Sequence, residues 1–251
     1  MLLDLDVQES WPWEVGYAVD EVIRERPDLA DFEYNEETSI GPDEIALGRE
    51  ETAVIDEAIG YTPLALYHAT RLLPHEVESI QERGMFPLTP ELVNFRLDSA
   101  IAVGAMDRTL AERLRPIALE YAVRAGRSDR VCFSGSRLSL QHRSGFWRLF
   151  TYWGGEAIYW QLDDKLPDPA LEQLGRIGTA AVVIAALPPR GPRHGRGVRD
   201  PQLARRLVAV RLGMDPGLET HVDLVRPDEI VEVVLQGSPA WDKLAPMSRK
   251  W

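Results

Sequence analysis

Three short stretches set side chains with acid–base or hydrogen-bonding chemistry into otherwise apolar surroundings. In LYHAT, His68 sits inside an apolar run, with Thr70 on the same face if that run is a strand of period two. In VCFSGS, Ser134 and Ser136 close a second apolar run. In YWGGEAIYW, Glu156 follows Gly154 and Gly155 and opens a third. Buried carboxylates are expensive unless paired or used, and two glycines let backbone come close to a ligand. Taken singly, each stretch has an ordinary explanation: a core histidine satisfied by a carbonyl, a polar strand end, and an edge glutamate facing water. Jointly they place an imidazole, a hydroxyl and a carboxylate on three separate strands.

The elements that must carry these residues follow from periodicity and turn chemistry. LALYHAT (64–70) reads as a buried strand after Pro63. Pro74 then opens a helix, HEVESIQERG, with Gly84 as its stop. Apolar positions at helical spacing, such as Leu110, Leu114, Ile117 and Tyr121, predict one or two helices over 91–125. Residues 131–136 are a second strand, and EAIYWQL a third beyond a Gly-Gly hinge. TAAVVIAAL (179–187) reads as a central strand, with LVAVRLG (207–213), IVEVVLQ (230–236) and HVDLV between them as further strands. Pro188 to Arg199 is a loop rich in Pro, Gly and Arg. Helices early and strands late predict an α+β fold rather than alternating βαβ units.

Of the 251 residues, the first 60 hold 18 acids against three bases, a net −15, whereas 61–251 carry +3. Two segments are therefore expected: an acidic stretch 1–60 and a main domain 61–251. The acidic stretch is either a solvated, solubilising segment or a partly helical cover competing with an anionic substrate for a basic groove. A helix around 14–26 could dock through Trp11, Trp13, Val15, Tyr17, Val19, Val22 and Ile23, ending at Pro27 and the Asp28–Asn35 stretch. Arg190, Arg193, Arg196, Arg199, Arg205 and Arg206 form the densest basic run. One cysteine, Cys132, excludes an internal disulfide framework and a Cys-rich zinc site. His68, His75, His142, His194 and His221 are scattered, so no metal is expected. The chain contains no GxxxxGK[ST], no GxGxxG after a strand, no HExxH and no GxSxG. No apolar run reaches the roughly 18 residues of a membrane span, and MLLDLDVQESW lacks a basic leader. The expectation is a soluble cytoplasmic protein with no membrane partner.

The order His68, Ser134, Glu156, with LYHAT followed by a helix and then Gly84-Met85-Phe86-Pro87, resembles the ADP-ribosyltransferase superfamily over about 65–237. It is especially similar to the His-containing branch that includes the poly-ADP-ribose polymerases, the RNA 2′-phosphotransferases and several bacterial toxins. The resemblance implies split antiparallel sheets, with helices mainly from the first half of the domain. It implies NAD as co-substrate, no metal, and transfer of ADP-ribose to a macromolecular acceptor, nucleic acid or protein, in the manner of a toxin or defence enzyme. Such an enzyme implies a restraining, antitoxin-like partner. Cleavage of the nicotinamide–ribose bond passes through an oxocarbenium-like state, as glycoside hydrolysis does. Glu156 would hold the ribose 2′-hydroxyl and face that charge. His68 would hydrogen-bond a ribose hydroxyl, Thr70 would add a contact, and Ser134 would position Glu156 or meet the nicotinamide ribose. Tyr152, Trp153 or Tyr159 would stack on nicotinamide, and Arg71 or Arg148 would meet the pyrophosphate.

Family members of this branch often carry Tyr in the second motif. Phe133-Ser134 stands there, leaving Tyr152 or Tyr159 to supply a ring. Gly154 occupies the place where arginine-modifying toxins have Glu or Gln, which favours an acceptor that brings its own nucleophile. Two related activities share this pattern, NAD glycohydrolase and RNA 2′-phosphotransferase. A third reading is a non-catalytic binding or immunity module that uses the acidic segment.

Overall fold

The computed structural model describes residues 1–30, 45–124, 129–142, 146–159, 168–189, 198, 202–217 and 219–244. In chain order its elements are α1 (Trp13–Glu25), α2 (Pro27–Ala30), α3 (Arg49–Ile59), β1 (Leu64–Leu72), α4 (Pro74–Arg83), α5 (Pro90–Ala102), α6 (Arg108–Arg124), β2 (Val131–Ser134), α7 (Arg137–His142), α8 (Phe146–Thr151), α9 (Glu156–Tyr159), α10 (Asp168–Arg176), β3 (Thr179–Leu187), α11 (Leu203–Arg211), β4 (Glu219–Val222), β5 (Ile230–Leu235) and α12 (Trp241–Leu244). The fold is mixed α+β, with one five-stranded antiparallel sheet in the order β4-β2-β1-β3-β5. β1 is the middle strand and pairs antiparallel with β2 at Tyr67 and Ser134.

Two compact units divide the chain. One comprises Met1–Tyr67, Phe133–Ser139 and Ala185–Thr220. Its helix α1 buries Val15, Ala18, Val19 and Val22 and packs with α3 and α11. Each of these buried valines contributes about 1.5–3 kcal/mol. Arg211 holds Asp20 through two 2.7 Å hydrogen bonds, and Gln8 Nε2 donates to the Val210 carbonyl at 3.2 Å. Leu3 forms a parallel bridge with Leu64. Asp4 accepts from Tyr67 Oη at 2.7 Å, and Asp6 accepts from Ser136 Oγ at 2.9 Å and from the Arg137 and Leu138 N–H groups. Burial raises the Asp6 carboxyl pKa, outweighing those hydrogen bonds. The described part of 1–60 is thus built into this unit, supplying Leu3, Leu5, Ile45, Ile55 and Ile59 to its interior.

The second unit comprises His68–Cys132, Leu140–Ile184 and His221–Trp251. Its core joins α5 and α6 through Leu97, Ala100, Ala111, Leu114 and Ala118 to Trp153, Ile158 and Leu174. Gly84, at φ 81°, ends α4 where a Cβ would stand 2.0 Å from the Val225 carbonyl oxygen, so only glycine fits. The next residue, Met85, exchanges hydrogen bonds of 2.9 and 3.1 Å with Val225.

β1, β3, β5, α1, α4, α5 and α6 lie where the sequence predicts them, and β2 spans the first four residues of the predicted 131–136. Helices do gather in the first half of 61–251, where α4 to α8 lie, while the shorter set α9 to α12 follows among the described residues of the second half. Three expectations are corrected. LVAVRLG belongs to α11, because Leu203, Ala204, Leu207 and Val208 form a buried helical stripe that begins ahead of it. EAIYWQL does not start a strand: 156–159 are a helical turn, and 160–162 lie outside the described residues. Finally, Trp13 and Tyr17 do not dock α1 but point away from its buried face. Of the basic run, Arg190, Arg193, Arg196 and Arg199 lie outside the described residues.

Candidate functional site

β1 sets His68 in the middle of the sheet, and its Nδ1 lies 2.8 Å from the Cys132 carbonyl oxygen. A carbonyl only accepts, so Nδ1 carries the proton. Burial pushes the His68 imidazole pKa down, outweighing that hydrogen bond, and the positive charge of Arg96 lowers it further. The ring is therefore neutral near pH 7, with Nε2 as its unprotonated nitrogen and hydrogen-bond acceptor.

Arg96 on α5 belongs to a cluster that the sequence did not reveal. Glu76, third residue of α4, accepts from Arg96 Nε at 2.6 Å through one oxygen. Its other oxygen accepts from the Leu73 N–H at 2.8 Å and the Trp153 indole N–H at 3.0 Å. The Arg96 guanidinium lies 4.8 Å over the Trp153 ring, a cation–π contact. Burial alone would raise the Glu76 pKa, but Arg96 and these hydrogen bonds hold the carboxyl below its ordinary value. The cluster ties α4 and α5 to the segment that leads into Glu156.

That segment turns sharply. Gly154 and Gly155 have φ of 96° and 68°, a backbone that residues with a Cβ rarely adopt. The Gly155 carbonyl accepts from Ile158 and Tyr159 N–H at 3.0 and 3.1 Å and so starts α9. The glycines serve this turn: a Cβ on Gly154 would meet Ile158 Cδ1 at 2.3 Å. Glu156, half-buried at the start of α9, accepts from Tyr121 Oη of α6 at 3.2 Å through Oε2. Tyr152 lies 6.0 Å from Tyr159 and 6.2 Å from Trp147, ring centre to ring centre.

A scan against protein-family models and searches of curated proteins and of solved structures return no match.

His68, Thr70, Arg71, Tyr152, Trp153, Glu156 and Tyr159 all lie in the second unit, and Ser134 in the first. Several expected roles are revised. Ser134 is buried, with its Oγ donating to the Ser136 carbonyl at 2.9 Å and accepting from the Ser136 N–H at 3.2 Å, which spends the hydroxyl on the turn after β2. Arg71 donates from Nε, Nη1 and Nη2 to the carbonyls of Ile177, Phe150 and Gly178 at 2.9, 2.8 and 2.7 Å, which commits it to the backbone rather than to a pyrophosphate. Trp153 and Tyr159 are buried, so their faces are already covered and unsuited to stack on nicotinamide, whereas Tyr152 is half-buried. Thr70 is buried, with a long 3.4 Å contact to the Arg71 carbonyl.

Sequence reasoning missed Glu76, Arg96 and Tyr121. Tyr121 carried a usable signal: a hydroxyl at the end of the apolar stripe Leu110, Leu114, Ile117 needs a partner once buried. Glu76 carried the spacing of a capping glutamate three residues into a helix, masked because Leu73 rather than Ser or Thr precedes Pro74. Among the described residues, no group of three or more His, Cys, Asp or Glu could hold a metal ion, and no helix is long and apolar enough to cross a membrane.

Proposed function

We propose that the chain is an NAD-dependent ADP-ribosyltransferase of toxin or defence type, acting on a macromolecular acceptor, nucleic acid or protein. The observation that carries the reading is the state of His68: a neutral imidazole on the middle strand, its Nδ1–H spent on the Cys132 carbonyl. Nε2 of such a ring accepts from a ribose hydroxyl and orients the sugar without adding positive charge beside a developing oxocarbenium ion. Glu156 is the carboxylate of the proposed site. Its role is to hold the ribose 2′-hydroxyl and oppose the charge at C1′ as the C1′–N bond breaks and its electron pair leaves with nicotinamide. The acceptor nucleophile then bonds to C1′ and releases its proton. Tyr121 replaces Ser134 as the hydroxyl that positions Glu156, and Tyr152 is the ring of the expected three with exposed surface left to meet nicotinamide. Split sheets of the ADP-ribosyltransferase type belong to the same proposal.

The test is nicotinamide release from NAD in the presence of cell extract, comparing wild type with Glu156→Gln. The expected result is release by wild type that falls at least a hundredfold in the variant, with label from the ADP-ribose half appearing in macromolecules. Equal release by both proteins removes Glu156 and the proposal with it. Release without label transfer identifies a glycohydrolase instead.

A further inference from the structure

We propose that the outward face of α1 is a docking surface for a basic protein segment, one that presents Arg or Lys side chains to a pair of exposed aromatic rings. Trp13 is 74% exposed and Tyr17 60%. They stand one turn apart, edge to face, with centroids 6.5 Å apart. The opposite side of the helix buries Val15, Ala18, Val19 and Val22, and Asp20 is clamped by Arg211. The rings are therefore held outward by a helix that is fixed in place. Beside them, a Cβ on Gly16 would meet nothing within 4 Å, so the surface around the rings is open. Isolated exposed apolar residues need no explanation, but Trp and Tyr adjoining on a rigid helix face are the residue types that dominate binding hot spots.

Charge selects the occupant. The same helix carries Glu14, Asp20, Glu21 and Glu25 against Arg24, a net −3, within a 60-residue stretch of net −15. Asp20 and Glu21 are engaged by Arg211 and Arg24. Glu14 adjoins Trp13 in the first turn and Glu25 ends the helix, and neither has an ion pair among the described residues. A guanidinium or ammonium is attracted both by the ring faces and by this rim. The phosphates of a nucleic acid or an anionic lipid surface meet repulsion, and so do two copies of the face brought together. The proposal is independent of the catalytic reading, which uses no residue of α1.

The experiment uses the full chain and a fluorescent synthetic peptide alternating Arg with Leu, with a matched Glu–Leu peptide as its opposite. Binding is read by anisotropy at low and high salt. The expected result is binding of the Arg peptide alone, weakened by salt. Trp13→Ala/Tyr17→Ala should weaken it about tenfold or more, and Glu14→Gln/Glu25→Gln severalfold. These side chains are exposed, so unchanged circular dichroism and Tm keep the comparison clean. The proposal is overturned if wild type does not bind the Arg peptide, if the aromatic double variant binds it equally, or if the Glu peptide binds as well. A dimer of the chain that the aromatic substitutions dissolve also overturns it, since a second copy then covers the face.

Discussion

Removing the carboxylate of Glu76 tests the cluster that ties the Glu156 segment to α4 and α5. Two oxygens take three donors, at 2.6, 2.8 and 3.0 Å, and the side chain is only 9% exposed. Glu76→Leu leaves the Leu73 N–H and the Trp153 indole N–H unmet, each worth about 1–3 kcal/mol when buried. It also leaves Arg96 without its counter-charge, although that side chain reaches solvent in part. Breaking a buried pair by deleting one partner costs about 3–5 kcal/mol, so about 4 kcal/mol is expected. Glu76→Gln keeps an acceptor and loses only the charge, for about 2 kcal/mol. Glu76→Leu/Arg96→Met removes the stranded charge and should recover at least half the loss. Urea unfolding at neutral pH measures all three. pH adds an independent readout, because the folded state holds the Glu76 carboxyl below its ordinary 4.5. As pH falls below 4.5 the unfolded chain takes up its proton first, so the stabilisation is full above that value and is lost progressively beneath it. Glu76→Gln should lack this component. A Glu76→Leu cost under about 1 kcal/mol, or a double variant as unstable as the sum of its singles, would refute the picture of a satisfied buried hub.

The hydroxyl that reaches Glu156 can be removed with little else disturbed. Tyr121→Phe should lower stability by about 1 kcal/mol or less and slow nicotinamide release about tenfold in kcat, with KM nearly unchanged; an unaltered kcat excludes a positioning role. The neutral state of His68 predicts a second pH effect. Its pKa lies below the ordinary 6.5 in the folded chain, so as pH falls under 6.5 the unfolded chain gains a proton that the folded chain refuses, and Tm declines. His68→Asn should flatten that decline between pH 7.5 and 5.5, and parallel curves for the two proteins would show that His68 does not carry it.

Elements whose own residues fix their geometry were legible in the sequence. Pro74 and Gly84 bracket α4 because one ring sets φ at the start and one missing Cβ permits the Val225 contact at the end. TAAVVIAAL is a strand because a run this apolar and β-branched fits between two neighbours. Where burial by the rest of the molecule decides, local pattern misleads. Val208 and Val210 look like a strand until Leu203 and Ala204 are added to the stripe. Glu156 looks like a strand opener because Ala157, Ile158 and Tyr159 are all apolar, yet all three are buried by a single helical turn, which no periodicity can register. His68 was visible in the sequence, since a polar ring in an apolar run stands out. Its partners Cys132 and Arg96 were not, because a backbone carbonyl and a guanidinium two elements away leave no mark on the spacing around it.

The carboxylate of Asp6 closes on Ser136, Arg137 and Leu138, and Leu3 lies alongside Leu64. These links impose an order on biosynthesis. Leu3 needs only the first quarter of this sequence to form its bridge, whereas Asp6 must wait for more than half of it to leave the ribosome before its hydrogen bonds can form. Until then α1 presents its valine stripe without α11 to cover it, a window in which a chaperone, or a cognate partner engaging the nascent chain, has something to hold.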